Sequence, residues 1–381
     1  MWRHDDELQT ILRNSAENFA RDNKSLARFR RSRSVGPGFE ADAWAQMAAL
    51  GWTGVLLSER DGGSGFGIAT ALTLAEVFGQ HLLPEPFITS AVMSATILDR
   101  SEGDTARSVA SSLAAGQATA TFAFQEVSGQ DEPCVSQTTL TSESGALLLS
   151  GRKILVPDWS EDCWLLVTAQ FDGELAVVAV PPAHAGVSVV PRRMTDGSLA
   201  GDVTFNGVVL AAEALLLTGN KALAVTDLAI ARGRLALCAQ LESLSRALLL
   251  LTIDYVNQRV QFDKPLATFQ ALRHKLVEAH CIIELAGASW RAAAAKLDDV
   301  LDAQMLFYVC AAKARCSDAA MAASRVAIQY HGAFGYTEEA DIGLFVNAAL
   351  RWSCWLGNAD QSRHAALHHH KSGTVTVKAE Q

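Results

Sequence analysis

Between about Lys221 and Tyr330 the chain has almost nothing that stops a helix. Leu223–Val260 holds one glycine and no proline. Pro265 fits a helix start, predicting a second helix from about Leu266 to Lys296, and a third runs from about Val300 to Tyr330. Helices this long bury their apolar stripes against one another, most simply as an antiparallel bundle. The Ala-rich stretch within 286–295 reads as close helix packing, or else as room for a bulky ligand group.

The first 120 residues are also helical in pattern. Leu8, Ile11, Leu12 and Phe19 mark a helix over Asp5–Arg21, and further helices fit Ala41–Leu50, Ile68–Leu82, Pro86–Leu98 and Asp104–Ala115. Between them the glycines Gly62, Gly63, Gly65 and Gly67 read as a surface turn rather than a dinucleotide fingerprint, since no βαβ unit surrounds them. From about Thr119 to Leu216 the pattern changes. Short β-branched and aromatic runs alternate with Gly, Pro, Asp and Asn: Thr119–Phe124, Ala146–Leu149, Lys153–Val156, Trp164–Thr168, Leu175–Val180, Val187–Val190 and Val203–Phe205. That punctuation predicts an antiparallel sandwich or barrel. The expected fold class is therefore mainly α with a small β domain: helical residues 1–118, a β domain at 119–216, a bundle at 217–370 and a tail at 371–381.

Composition narrows the function. With 32 Lys+Arg against 41 Asp+Glu the net charge is −9, which argues against nucleic acid as a partner. The basic cluster Arg28, Arg30, Arg31 and Arg33 reads as a solvated face. No apolar run reaches the roughly 18 residues of a membrane span. The N-terminus lacks a secretory pattern, and the seven cysteines form no CxxC pair. Both fit reduced thiols in the cytoplasm. His368–His370 read as a polar tail, and no metal site is expected.

Four segments carry more information: Gly51-Trp52-Thr53-Gly54 with Glu59, the glycine cluster and Ala75-Glu76-Val77-Phe78-Gly79; Phe122-Ala123-Phe124-Gln125-Glu126 with Gly151-Arg152-Lys153-Ile154-Leu155-Val156; Tyr255 through Arg259 to Gln270; and Gln329 through His331, Gly332, Gly335 and Tyr336 to Glu338. In this order and spacing, from about residue 5 to 365, the chain resembles the acyl-CoA dehydrogenase family of flavoproteins. The resemblance implies FAD between a β domain and a four-helix bundle, an acyl-CoA substrate, electron-transfer flavoprotein as acceptor, and a homotetramer or a heterotetramer with a related chain. It assigns Phe122, Phe124, Gln125, Leu155 and Val156 to the flavin ring and its ligand. Arg259, Gln261, Phe262, Phe269, Gln270, Gln329, Gly332, Ala333 and Asn358 fall to the rest of the cofactor. An always-charged planar Arg suits a pyrophosphate, and glycines let backbone approach closely.

The sequence also departs from the family. Pro157 replaces a hydroxyl residue near the flavin, Asp263 stands where Gly is usual, and Gln130-Asp131 replaces Ser-Asp. The family reaction is α,β-dehydrogenation, in which a carboxylate removes the α-proton and the β-hydrogen leaves as hydride. The two positions that carry this carboxylate in the family are Leu356 and Gly233 here, and neither takes a proton. Asp360 is the one nearby candidate, readable also as an early-turn Asp of the last helix; Glu242 lies within the first long helix. Four arrangements follow: a dehydrogenase with a relocated base, one chain of a heteromer whose partner supplies the base, a flavin oxidase or monooxygenase of the same fold, and a cofactor-free subunit.

Overall fold

A computed structural model describes residues 6–33, 38–133, 136–143, 145–337 and 339–378. Cys134 and Glu338 lie outside the described residues. The amino-terminal part contains α1 (Asp6–Asp22), α2 (Ser25–Ser32), α3 (Ala41–Ala49), α4 (Ile68–His81), a π-helical turn (Phe87–Ser94) continuing into α5 (Ala95–Asp99), and α6 (Asp104–Ala114). The strands are β1 (Thr119–Ala123), β2 (Thr139–Glu143), β3 (Ala146–Pro157), β4 (Cys163–Phe171), β5 (Glu174–Val180), β6 (Val187–Arg193), β7 (Leu199–Ala211) and β8 (Leu215–Thr218). The bundle follows with α7 (Gly219–Gln258), a short hairpin of β9 (Val260–Gln261) and β10 (Lys264–Pro265), α8 (Gln270–Ala294), α9 (Ala303–His331), α10 (Ile342–Cys354) and α11 (Ala359–Lys378). The last helix thus carries His368–His370 and continues past residue 371, where a tail was expected.

The sheet is mixed rather than antiparallel throughout. Its order is β6-β7-β3-β2-β4-β5-β8, with β1 running parallel to β4. The two runs expected around Gly151 are one bulged strand, β3. Side-chain alternation explains why β4 and β5 read as continuous apolar runs. Leu165, Val167 and Ala169 face the core inside the β domain, while Leu166 joins the helical core. Val178 and Val180 face inward, whereas Val177 and Ala179 face the helices. Period-2 alternation over a sheet covered on both sides leaves no polar face. The same alternation sends Phe122 of β1 and Phe124 just past its end toward the helices, and Ala123 toward the β core.

In the bundle, α9 packs against α7, α8, α10 and α11, and α4 lies on α7. The α4–α7 approach needs Gly79, since a Cβ there would stand 2.3 Å from the Gln240 carbonyl oxygen. Ala286 and Ala293 are fully buried where α8 meets α9, so the Ala-rich stretch serves close packing. Helix α7 is long and apolar enough to span a membrane, but its most apolar window is 72% buried inside the protein. The Arg cluster corrects another expectation. Arg28 is not solvated but buried in an ion pair with buried Glu85, while Arg30 and Arg31 pair with Asp341 and Glu40.

Candidate functional site

The residues assigned to the flavin form two separate groups. The first lies where β1 and β3 meet the α10–α11 connection. Phe122, Phe124, Gln125, Leu155, Val156 and Leu356 line one cavity, with Pro157 and Trp355 at its wall. The rings of Phe122 and Phe124 are 5.1 Å apart. Two of the lining residues hold left-handed backbone without being glycine, Leu155 at φ 50° and Leu356 at φ 56°. Such residues cost of order 1–3 kcal/mol each and persist only where the surroundings fix them. For Leu155 that surrounding is Asp202, whose carboxylate accepts the Leu155 N–H at 3.1 Å. Burial raises the Asp202 carboxyl, but this N–H, Arg192 and Arg152 outweigh it and hold the group below its ordinary value.

The two base positions, 123 residues apart in sequence, converge. A Cβ on Gly233 would lie 3.3 Å from a Leu356 methyl and 2.8 Å from the Met93 sulfur. Leu356 and Met93 are both buried, so the place of a family carboxylate is an apolar plug. Next to it, the buried Arg234 guanidinium donates from Nε to the Leu356 carbonyl (3.0 Å) and from Nη2 to the Asp131 carbonyl (3.2 Å). Lys313 reaches the same loop from α9. Its buried ammonium donates to the Ser353 and Gly357 carbonyls and to the Ser317 hydroxyl, at 2.8–3.0 Å. Burial brings Lys313 down to about 8.

Sequence reasoning missed Lys313, although its phase held the signal. It falls on the α9 face that buries Val309, Cys316 and Ala320, where a lysine needs polar partners. Lys153 is a parallel case. It is fully buried on β3 and donates to Glu126 (2.6 Å) and Thr168 (2.9 Å). Burial pushes Lys153 down to about 8 against the pull of Glu126. Burial also works to raise Glu126, but Lys153, the Gln137 N–H and Thr138 overcome it and hold the carboxyl at about 2. This pair fixes the strand-to-loop turn that follows Phe124.

Asp360 does not enter the cavity. Its carboxylate is 86% exposed and pairs with Arg363 on the first turn of α11. Asn358 does not line the cavity either; its side-chain oxygen accepts the N–H groups of Asp360 and Gln361 and caps that helix. Glu242 is fully buried and engaged by Arg246.

The second group sits at the end of the bundle and is open to solvent. Tyr255 stacks on His331 with ring centroids 4.1 Å apart and lies parallel to Phe334. The Tyr330 hydroxyl donates to the Leu272 carbonyl at 3.0 Å, so the residues at both ends of the Arg259–Gln270 segment meet the end of α9. Arg259, Gln261, Gln270 and Gln329 are exposed, and Phe262 is 82% exposed. The departure at Asp263 has a backbone reason. Phe262 and Asp263 are the two residues of the β9–β10 turn, both left-handed at φ 56° and 63°, a conformation glycine favours and Asp tolerates.

This arrangement of helices, sheet and bundle is met in known proteins. Residues 6–117 match the acyl-CoA dehydrogenase N-terminal domain and residues 221–366 the C-terminal domain. The chain belongs to the acyl-CoA dehydrogenase family. Family members are FAD-binding oxidoreductases that act on the CH–CH group of acyl-CoA thioesters. Among relatives, the chain is 29% identical over 333 residues to acyl-CoA dehydrogenase FadE34 of Mycobacterium tuberculosis, covering 84% of this chain but 42% of that protein. Its fold matches a variant of the Tcur3481–Tcur3483 steroid ACAD at a TM-score of 0.86 and 24% identity, over 97% of this chain and 99% of that one. It also matches the ChsE4–ChsE5 complex of Mycobacterium tuberculosis at 0.85 and 20%, over 96% and 97%.

FAD fits one group and not the other. The open bundle end offers the Arg259 guanidinium, without an ion-pair partner among the described residues, three amides and an aromatic face. The cavity at Phe122 has about 20 Å3 of free space, room for about one water and not for a three-ring flavin. Its wall residue Pro157 has neither hydroxyl nor N–H to offer.

Proposed function

We propose that this acyl-CoA dehydrogenase family chain is the non-catalytic member of a two-chain enzyme for FAD-dependent α,β-dehydrogenation of an acyl-CoA. The observation that carries this reading is the contact of Leu356, Gly233 and Met93. No proton acceptor stands at either base position, and the plug is buried, so a partner cannot insert one. The base and the reacting flavin therefore belong to the partner's own slot. This chain's part is the exposed bundle end, where Arg259, Gln261, Gln270 and Gln329 hold the dinucleotide of the partner's FAD, with Phe262 and Phe269 packing beside it. When bound, FAD supplies the hydride acceptor of the family reaction, and electron-transfer flavoprotein takes the electrons onward.

Helix α8 supplies a face for assembly, since Val277, Cys281 and Leu285 recur every four residues and are exposed. A heterotetramer of two such pairs follows. The two structural matches, ChsE4–ChsE5 and Tcur3481–Tcur3483, are each named for a pair of chains. Free buried thiols at Cys163, Cys238, Cys310 and Cys316 support a cytoplasmic, reducing setting.

The test is co-expression with a related chain that keeps the family Glu. Dehydrogenation of acyl-CoA should need both chains. It should vanish when the partner's Glu becomes Gln and remain when Asp360→Asn is made here. Activity of this chain alone, lost on Asp360→Asn, contradicts the proposal.

A further inference from the structure

We infer that a second cavity, between the amino-terminal helices and the β domain, binds a compact organic cation such as a quaternary or primary ammonium. It has about 500 Å3 of free space, within the usual size of small-molecule sites. Phe39, Trp44 and Trp159 give it aromatic walls, and Glu161 and Asp162 stand at its mouth. It shares no lining residue with the cavity at Phe122.

The walls are held in place. Trp44 is buried, its indole N–H donates to the Ala118 carbonyl at 3.2 Å, and it meets Phe39 edge-on at 6.4 Å between centroids. The Trp159 side chain lies against Gly201, where a Cβ would come within 3.1 Å of the indole. Phe39 and Trp159 remain partly exposed. No lining residue is basic. Both carboxylates are exposed, and among the described residues neither pairs with a basic side chain.

Aromatic faces attract cations through the ring quadrupole, most strongly for Trp, and an ammonium desolvates more readily against them when carboxylates stand nearby. An anion would meet two carboxylates and no donor charge. A neutral apolar molecule would gain the walls but leave the acidic mouth unused. Charge complementarity therefore selects the cation.

The experiment titrates the full chain with choline and with 3,3-dimethylbutan-1-ol, its neutral isostere, following tryptophan fluorescence. The expected result is saturable quenching by choline at about tenfold lower concentration than by the alcohol. Trp159→Phe should keep this preference, whereas Trp159→Leu should weaken choline binding about tenfold. If the leucine variant does not fold, the surface double variant Glu161→Gln/Asp162→Asn decides, and it should bring choline down toward the alcohol. Equal response to the two probes, or quenching unchanged in the double variant, overturns the inference.

Discussion

The plugged cavity at Phe122 and the open bundle end at Arg259 are two halves of one expected cofactor site, and they have met opposite fates. The first has Leu356 and Gly233 at the places of the family carboxylate, Pro157 at the place of a hydroxyl residue and about 20 Å3 of free space, within a frame of Arg234, Lys313, Lys153 and Glu126. The second keeps its charged and amide groups exposed, Gln261 and Gln270 bonding, among the described residues, only to the neighbouring Val260 carbonyl and His274 ring. A frame that outlasts its chemistry is a structural requirement, because buried charges cannot be dropped singly without stranding their partners. Phe262 is 82% exposed at the β9–β10 turn and meets Phe269 edge-on at 6.0 Å, and the proposed function has the partner's cofactor packing beside it.

The sharpest way to break this contrast is to restore the carboxylate. Leu356→Glu places an acid against Met93 and Gly233, where the nearby Arg234 guanidinium is already committed to the Leu356 and Asp131 carbonyls. It should cost about 4 kcal/mol in urea unfolding and give no activity in the isolated chain. Leu356→Met, which keeps volume and polarity, should cost under about 1.5 kcal/mol. Activity from Leu356→Glu alone would show that the cavity had lost only its base.

Lys313→Met should cost about 3 kcal/mol, because the Gly357 carbonyl stays buried without its donor and the Ser353 carbonyl keeps only the Ser317 hydroxyl at 3.2 Å. Its unfolding transition reads this directly. An effect below about 0.5 kcal/mol would mean that the loop holds without the clamp.

How much of this was legible in the sequence depends on the range of the interaction. The long helices of the bundle and the short strands could be read because their periodicity is local. The family resemblance is what assigned the base positions to Leu356 and Gly233, and the contact between them, 123 residues apart, is visible only in the fold. The parallel β1–β4 pair could not be read, since Phe122 meets Leu166 across 44 residues. Arg28 looked solvated because its partner Glu85 is 57 residues away. Leu155's left-handed turn depends on Asp202 across the sheet, so no local pattern announces it.

The acid limb tests the frame on the β side. Glu126 sits at about 2 in the fold against 4.5 unperturbed. Its contribution is complete above the unfolded value and is lost as pH falls from about 4.5 toward 2. Urea unfolding between pH 6 and pH 2.5 should lose about 2 kcal/mol more in the native chain than in Glu126→Gln. Matching profiles would remove this pair from the frame.

The smallest effect on stability is expected at the open end. Arg259→Gln should change unfolding by less than about 0.5 kcal/mol. In the two-chain complex it should weaken flavin retention about tenfold, the loss of one charge-assisted contact. Retention unchanged would separate this surface from the cofactor.

The most direct measurement is the flavin content of the purified chain, alone and with its related partner, by visible absorbance against protein concentration. A closed cavity beside an open dinucleotide surface gives no bound flavin in the isolated chain and one FAD for every two chains in the complex, bleached by acyl-CoA. One FAD per chain in the isolated protein, bleached by acyl-CoA without a partner, would contradict it.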